Sequence, residues 1–176
     1  MRPRLSLKGR ALQWLVQREH SRVELRRKLM QQARADAQAA ALLADNRGDD
    51  PDTTTPTQES LIAQVDALLD WLQAQRYLSE ERFAESRIHA RSSRFGNLRI
   101  RQELQQHGLS LSPEMSAELR QSERERADDV RQRKFGDSPV TAAERARQAR
   151  FLAGRGFSAE VIWQVLREIG SSGPDG

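Results

Sequence analysis

The stretch Trp14-Leu15-Val16-Gln17-Arg18-Glu19-His20-Ser21-Arg22-Val23-Glu24-Leu25 carries the structural unit from which this chain is built. Leu12, Leu15, Val16 and Glu19 continue a helical i, i+3, i+4 stripe up to His20, and Ser21-Arg22-Val23-Glu24 is a capping box that restarts a helix. The pattern predicts a helix end, a ring packed under a tight turn, a Ser cap and a second helix whose first apolar residue, Leu25, covers the ring.

The same order recurs twice. Trp71-Leu72 precedes Arg76, Tyr77, Ser79 and Phe83, and Phe151-Leu152 precedes Arg155, Phe157, Ser158 and Ile162. A weaker copy is Leu104, His107, Leu109 and Ser110. Repeated helical units bury their faces mainly against neighbours. The spacing is uneven, 57 residues from Trp14 to Trp71 and 80 from Trp71 to Phe151, which excludes a fixed-period solenoid.

Working outward, residues 8–33 read as two helices, and the Ala-rich continuation toward Ala44 reads as helix or frayed coil. Asp45 to Thr55 is linker-like, with Asp, Asn, Gly, Pro and three Thr in succession. Thr55-Pro56-Thr57-Gln58 supplies an N-cap, a Pro at the first helical position and a Gln three beyond, starting a helix that runs to about Gln75 with the stripe Leu61, Val65, Leu68, Leu69 and Leu72. Ser79 caps a fourth helix, and Asn97, after the break at Gly96, caps a fifth that ends at His107-Gly108. Ser112-Pro113 opens a short sixth, and residues 122–135 form a charged seventh, stopped by Gly136 and Pro139. Thr141 to Glu144 is a capping box for an eighth, and Ser158 caps a ninth carrying Val161, Ile162, Val165, Leu166 and Ile169. The expectation is an all-α protein of about nine helices in three tandem three-helix modules, elongated and curved. Its divisions are a basic helical module over 1–44, a flexible linker over 45–56, a central helical region over 57–108, C-terminal helical modules over 109–170 and a disordered tail over 171–176.

Composition narrows the chemistry. The 176 residues are 37% hydrophobic, 5% aromatic and 31% charged, so several thin helical layers fit better than one large core. With no cysteine, thiolate metal sites, disulfides and cysteine nucleophiles are all excluded. The longest apolar run, Ala39 to Ala44, is far short of the ~18 residues that suggest a membrane span. His20, His89 and His107 lie in different elements without ligand spacing, and His20 and His107 fall where packing or capping is expected. Asp49-Asp50, Glu80-Glu81 and Asp128-Asp129 are adjacent pairs, which on a helix do not face one another. No phosphate-binding loop, dinucleotide fingerprint or nucleophile elbow occurs. No metal, cofactor, catalytic residue or ATP hydrolysis by the chain itself is therefore expected.

What remains is arginine. The net charge of +4 hides an asymmetry: residues 1–33 hold nine Lys and Arg against two acids, whereas residues 34–60 hold two against six. The candidate binding residues form three sets. The first is Arg18, Arg22, Arg26, Arg27 and Lys28. The second is Arg87, Arg91 and Arg94 at i, i+4 and i+7, followed across the Gly96 turn by Arg99 and Arg101, with no acid between Glu85 and Glu103. The third is Arg145, Arg147, Arg150 and Arg155. Three to five phosphate contacts would give strongly salt-dependent affinity for single-stranded or duplex DNA. The plainer reading of the second set is a solvated helix face partly paired with Glu80, Glu81 and Glu85, and of the first, cations flanking Glu19 and Glu24. Trp14, Trp71 and Trp163 lie on apolar faces and are expected in the core, while Phe95, in a turn between Arg94 and Gly96, is open to stacking or packing.

Three ordered motifs resemble the bacterial RecX regulatory proteins: Arg18-Glu19-His20-Ser21-Arg22 with Glu24-Leu25-Arg26, then Tyr77-Leu78-Ser79 with Arg82-Phe83-Ala84-Glu85, then Gly96 with Arg99-Ile100 and Glu103-Leu104. The resemblance covers residues 8–33 and about 60–168. It implies three tandem three-helix motifs and a cytoplasmic, nonenzymatic modulator, chiefly an inhibitor, of the RecA recombinase and its filaments on single-stranded DNA, within recombination, DNA repair and the SOS response. The acidic stretch from Arg34 to Gln58 is longer than the family pattern implies. Such a connection would let the first module move independently or be exchanged between two chains, leaving the oligomeric state open. A direct DNA-binding regulator of helix-turn-helix type and a helical scaffold without a nucleic-acid role are the other readings. Against the former, neither helix following Ser21 or Ser158 carries the Asn, Gln and Arg grouping of a major-groove reader.

Overall fold

A computed structural model describes residues 5–45 and 56–171. Eight helices follow one another: α1 Leu7–Gln17, α2 Arg22–Asp45, α3 Gln58–Ala74, α4 Glu80–Ser92, α5 Asn97–Gln106, α6 Pro113–Phe135, α7 Ala142–Gly154 and α8 Ala159–Ser171, with no strand among the described residues. Most of the linker expected over 45–56, and all but the first residue of the tail expected over 171–176, lie outside the described residues.

Local hydrogen bonding explains most helix starts. Ser6, Thr57, Ser112 and Thr141 each accept, through a side-chain oxygen, the backbone N–H of Gly9, Ser60, Met115 and Glu144, at 3.1–3.2 Å. Thr141 and Glu144 form the reciprocal capping box. Two expectations are corrected. The cap of α3 is Thr57 and not Thr55, because the Thr57 hydroxyl stands three residues before a free N–H and Pro56 stays outside the helix. The expected sixth and seventh helices are one, α6, because no Gly or Pro interrupts residues 114–135 and the Ser122 hydroxyl donates to the Glu118 carbonyl (3.0 Å).

The chain divides into two units between Phe83 and Ala84, within α4. In the first unit, Leu25, Leu29, Met30 and Ala33 of α2 pack with Leu61, Val65, Leu69 and Leu72 of α3, joined by Ala11 and Leu78. Val16, expected on the apolar stripe of α1, is 87% exposed; Ala11, Leu12 and Leu15 make that face, and Val16 is rotated away from it. In the second unit, Ala127 and Val130 of α6, Leu152 of α7, Phe157, and Val161, Ile162, Val165 and Leu166 of α8 form a core. Trp163 is not part of it. The apolar stripe of α8 is centred between Val161-Ile162 and Val165-Leu166, so Trp163 turns outward and is 75% exposed. Trp14 and Trp71 are half-buried against the first core, with Lys28 over the Trp14 ring (4.7 Å) and Lys8 over the Trp71 ring (3.5 Å).

The recurring joints share a backbone device. In three of them the N–H of the residue after a left-handed position returns to a Leu carbonyl five residues earlier: Tyr77 to Leu72 (2.9 Å), Leu109 to Leu104 (3.0 Å) and Phe157 to Leu152 (3.2 Å). The left-handed residues are Arg76, Gly108 and Gly156. Ser21, Ser79 and Ser158 cap the following helices, accepting from Glu24, Arg82 and Val161. His20 and Phe157 are buried as expected, but Tyr77 is 49% exposed and stacked on Trp71 (5.7 Å) while Leu78 fills the space below.

Arg76 is the non-glycine member of the left-handed set (φ +59°), a conformation that costs an L-residue about 1–2 kcal/mol. The Arg82 guanidinium bonds its main-chain carbonyl (3.1 Å), a contact that survives truncation of the Arg76 side chain. Arg76→Gly should raise the melting temperature of the full chain, the relief exceeding the added freedom of glycine in the unfolded state by about 0.5 kcal/mol. An unchanged or lower melting temperature would count against left-handed strain there.

Candidate functional site

In the first unit most of the basic set is engaged internally. Arg22 reaches Asp70 (2.7 Å) and Gln73 on α3, and Arg26 grips Asp66 through two bonds (2.6 and 3.0 Å). The Arg26 hydrogen bond holds the Asp66 carboxyl below the usual carboxylate range. These partners lie across the helix pair, not at Glu19 and Glu24. Arg18 pairs with Glu24, whose pKa is lowered despite its partial burial. Lys28 donates to Nε2 of buried His20 (3.2 Å), so the ring proton sits on Nδ1 and is donated to the Arg18 carbonyl (2.9 Å). Burial pushes the His20 pKa down and keeps the ring neutral. Arg27 is exposed, with no ion-pair partner among the described residues.

The second unit builds a site around Phe95. After α4 ends, the Phe95 N–H returns to the Arg91 carbonyl (3.0 Å), and Arg126 from α6 donates to the carbonyls of Phe95 (2.9 Å) and Ser92 (3.3 Å), fixing the turn from below. The next residues pair with the joint between α7 and α8: the Gly96 N–H donates to the Arg155 carbonyl and the Leu98 N–H to the Gly156 carbonyl, both at 3.0 Å. This places Arg99 and Arg155 beside the ring. Their guanidinium carbons lie 4.6 and 5.6 Å from its centroid, and that of Arg91 lies 5.8 Å away.

Arg91 shares Glu103 with Arg87 (2.9 and 3.4 Å), so an acid from α5 tempers this stripe. Arg99 and Arg155 have no carboxylate partner among the described residues, and Arg94, the residue before Phe95, is exposed. The face of an aromatic ring offsets part of the clustered positive charge. Planar guanidinium forks match phosphate or carboxylate oxygens. Arg101 instead donates to the Ser116 hydroxyl on α6 (3.0 Å). Of the third set, Arg147 lies over Phe135 (5.3 Å), Arg145 approaches the Val140 carbonyl (3.5 Å), and Arg150 is exposed on α7. The structure thus joins members of the second and third sets, Arg91, Arg99 and Arg155, at one ring.

Beneath the ring lies a buried network that the linear sequence conceals. Glu123 accepts the Asn97 N–H (3.0 Å), the Asn97 side-chain amide (3.0 Å), the Ser158 N–H (3.3 Å) and the Ser158 hydroxyl (3.3 Å). Asn97 also donates to the Leu119 carbonyl (2.9 Å) and accepts from Arg126 (2.6 Å). Burial lowers the Arg126 pKa and Glu123 opposes that shift. Asn97 is therefore not the cap of α5, a place taken by Gly96; its side chain turns inward because Glu123, Leu119 and Arg126 all offer partners there. In sequence Glu123 belongs to a charged run, yet Leu119, Glu123, Ala127 and Val130 share one face of α6, and that register is the signal that identifies Glu123 as buried.

Residues 122–166 match the family model for the third three-helix domain of RecX, and residues 79–111 match that for the second. Similar proteins named regulatory protein RecX come from Leptothrix cholodnii (45% identical, covering 94% of this chain and 90% of the relative), Ralstonia nicotianae (43%, covering 93% and 87%) and Pseudomonas putida (38%, covering 92% and 90%). Glu123, Phe95, Gly96 and Arg155 thus sit on or between domains that this family defines, and identity extends beyond them over nine-tenths of the chain. The chain belongs to the RecX family of regulatory proteins.

Proposed function

We propose that this protein is a nonenzymatic regulator that binds the RecA recombinase filament on single-stranded DNA in the cytoplasm and inhibits its ATPase, filament extension and strand exchange. The observation that carries the reading is the Phe95 cluster, where guanidinium groups from α4, α5 and the α7–α8 joint converge and two of them lack a carboxylate partner among the described residues. The cluster receives phosphates of the DNA or carboxylates of the recombinase subunits, and a body seated there obstructs subunit addition and DNA access. Arg27 and the other members of the third set, Arg145, Arg147 and Arg150, add weaker contacts, which together raise the effective affinity along a repeating polymer.

The test is RecA ATP hydrolysis on single-stranded DNA as the full chain is titrated in, with binding to single-stranded and duplex DNA alone measured at matched salt. Half-inhibition well below the concentration that coats naked DNA is expected. Arg94→Glu combined with Arg99→Glu should raise the half-inhibitory concentration ~10-fold or more, since both side chains are exposed and each reversal replaces an attraction with a repulsion. Unchanged potency in that folded variant would remove the site assignment. Inhibition only once DNA is saturated would make the protein a competitor for DNA, and no inhibition would overturn the reading.

A further inference from the structure

The outer face of the α7–α8 pair carries a groove of about 970 Å³ on the second unit, separate from the Phe95 cluster. Its floor is aliphatic, made by Ala149, Ala153, Ile162 and Leu166, and one wall is the exposed Trp163. Arg145, Arg150 and Arg167 line the groove as well, and among the described residues no carboxylate does. Arg150 and Arg167 have no partner among the described residues. A Trp left 75% exposed beside a continuous aliphatic surface marks an interaction site, because exposed apolar patches of this kind are otherwise removed from water.

We propose that this groove docks an acidic amphipathic helix of a protein partner. Large apolar residues at i, i+3, i+4 and i+7 of that helix would enter between α7 and α8, with Trp163 as the anchoring wall. Carboxylates flanking the apolar stripe would meet Arg145, Arg150 and Arg167, three cations in a groove whose described lining carries no charge of opposite sign. Nucleic acid fits this surface less well. The floor offers no donor or acceptor to base edges, and the groove presents one aromatic ring where base binding uses several.

The inference stands apart from the proposed function, since its readout is binding by the chain alone. The probe is a fluorescein-labelled helical peptide with Leu at i, i+3, i+4 and i+7 and Glu on either side, measured by anisotropy with the full chain while the Trp163 indole N–H resonance is followed by NMR. Saturable micromolar binding that moves the indole resonance is expected. Trp163→Ala should weaken it ~10-fold or more, and Arg150→Glu with Arg167→Glu comparably; all three side chains are exposed, so the fold should persist, as thermal melting will show. The same peptide with Lys for Glu should fail to bind. Absence of binding, equal binding of the Lys peptide, or binding indifferent to Trp163→Ala would overturn the proposal. So would an oligothymidylate that shifts the indole resonance when the acidic peptide does not.

Discussion

Alanine at position 96 is expected to unfold the second unit or leave it only marginally folded. A Cβ at Gly96 would lie 2.3 Å from the Gly156 carbonyl oxygen and 2.3 Å from both the nitrogen and Cα of Phe157. All three are main-chain atoms, so no rotamer change relieves the clash. The strand-like pairing of residues 96–98 with 155–156 would have to open, with loss of two backbone hydrogen bonds and displacement of the buried Phe157 ring. Overpacking that cannot relax, added to unpaired buried backbone groups, costs on the order of 3–5 kcal/mol, a large share of the ~5–15 kcal/mol that stabilises a typical domain. Gly96 has an ordinary φ of −78°, so the demand is purely for space, whereas Gly156 at φ +82° is constrained by both conformation and contact. Urea denaturation should show a sharply lowered midpoint for Gly96→Ala. Gly154→Ala, whose Cβ meets nothing within 4 Å, should be close to neutral. Equal stability of the two variants would refute the backbone contact, and with it the geometry that brings Arg99 and Arg155 to Phe95.

The second large effect is expected at Glu123. Its carboxylate is 4% exposed and receives four hydrogen bonds, two from main-chain N–H groups at the starts of α5 and α8. Glu123→Ala would strand those donors and remove the charge that opposes the desolvation of Arg126. Removing one partner from a buried charged network costs about 3–5 kcal/mol. Glu123→Gln should cost less, about 1–2 kcal/mol, because a carbonyl oxygen still accepts from Asn97 and Ser158 N–H while the new amide meets the Asn97 amide donor to donor. Paired with Asn97→Ala, the alanine variant should be strongly non-additive, since both substitutions dismantle the same bonds. A Glu123→Ala loss below about 1 kcal/mol, read from thermal and urea unfolding, would mean that water replaces the carboxylate and that the network does not hold α5, α6 and α8 together.

Much of the secondary structure was legible because its causes are short-range. Ser21, Ser79, Ser112, Thr141 and Ser158 cap helices through N–H groups three residues away, and Gly108 and Gly156 end helices through carbonyls a turn earlier. The apolar stripes of α2, α3 and α8 were equally plain, because helical period and burial coincide there. The errors share a different origin. The hydrophobicity of its neighbours points Trp163 inward, although Val161, Ile162, Val165 and Leu166 already meet the burial that the helix needs. Asn97 reads as a cap because that residue type commonly is one, while a carboxylate 26 positions away draws its amide inward.

The candidate site divides along the same line. Arginine spacing nominated all three sets, but a charge run looks the same whether its cations face solvent, a carboxylate or a ring. Arg22 and Arg26 are taken by Asp70 and Asp66, more than 35 residues away, and Arg91 by Glu103, whereas Arg99 and Arg155, 56 positions apart, meet at Phe95. By itself the sequence determined the all-helical class, the joints and their caps, and the family motifs, since each depends on residues within about a turn or two of one another. Among the described residues, only the tertiary structure decided which arginines have no acid beside them, which glutamate is buried and which tryptophan is exposed. The reason is physical: ion pairing and desolvation are set by which helix faces meet, and two glycines without side chains, Gly96 and Gly156, let that meeting be close enough to place the cluster.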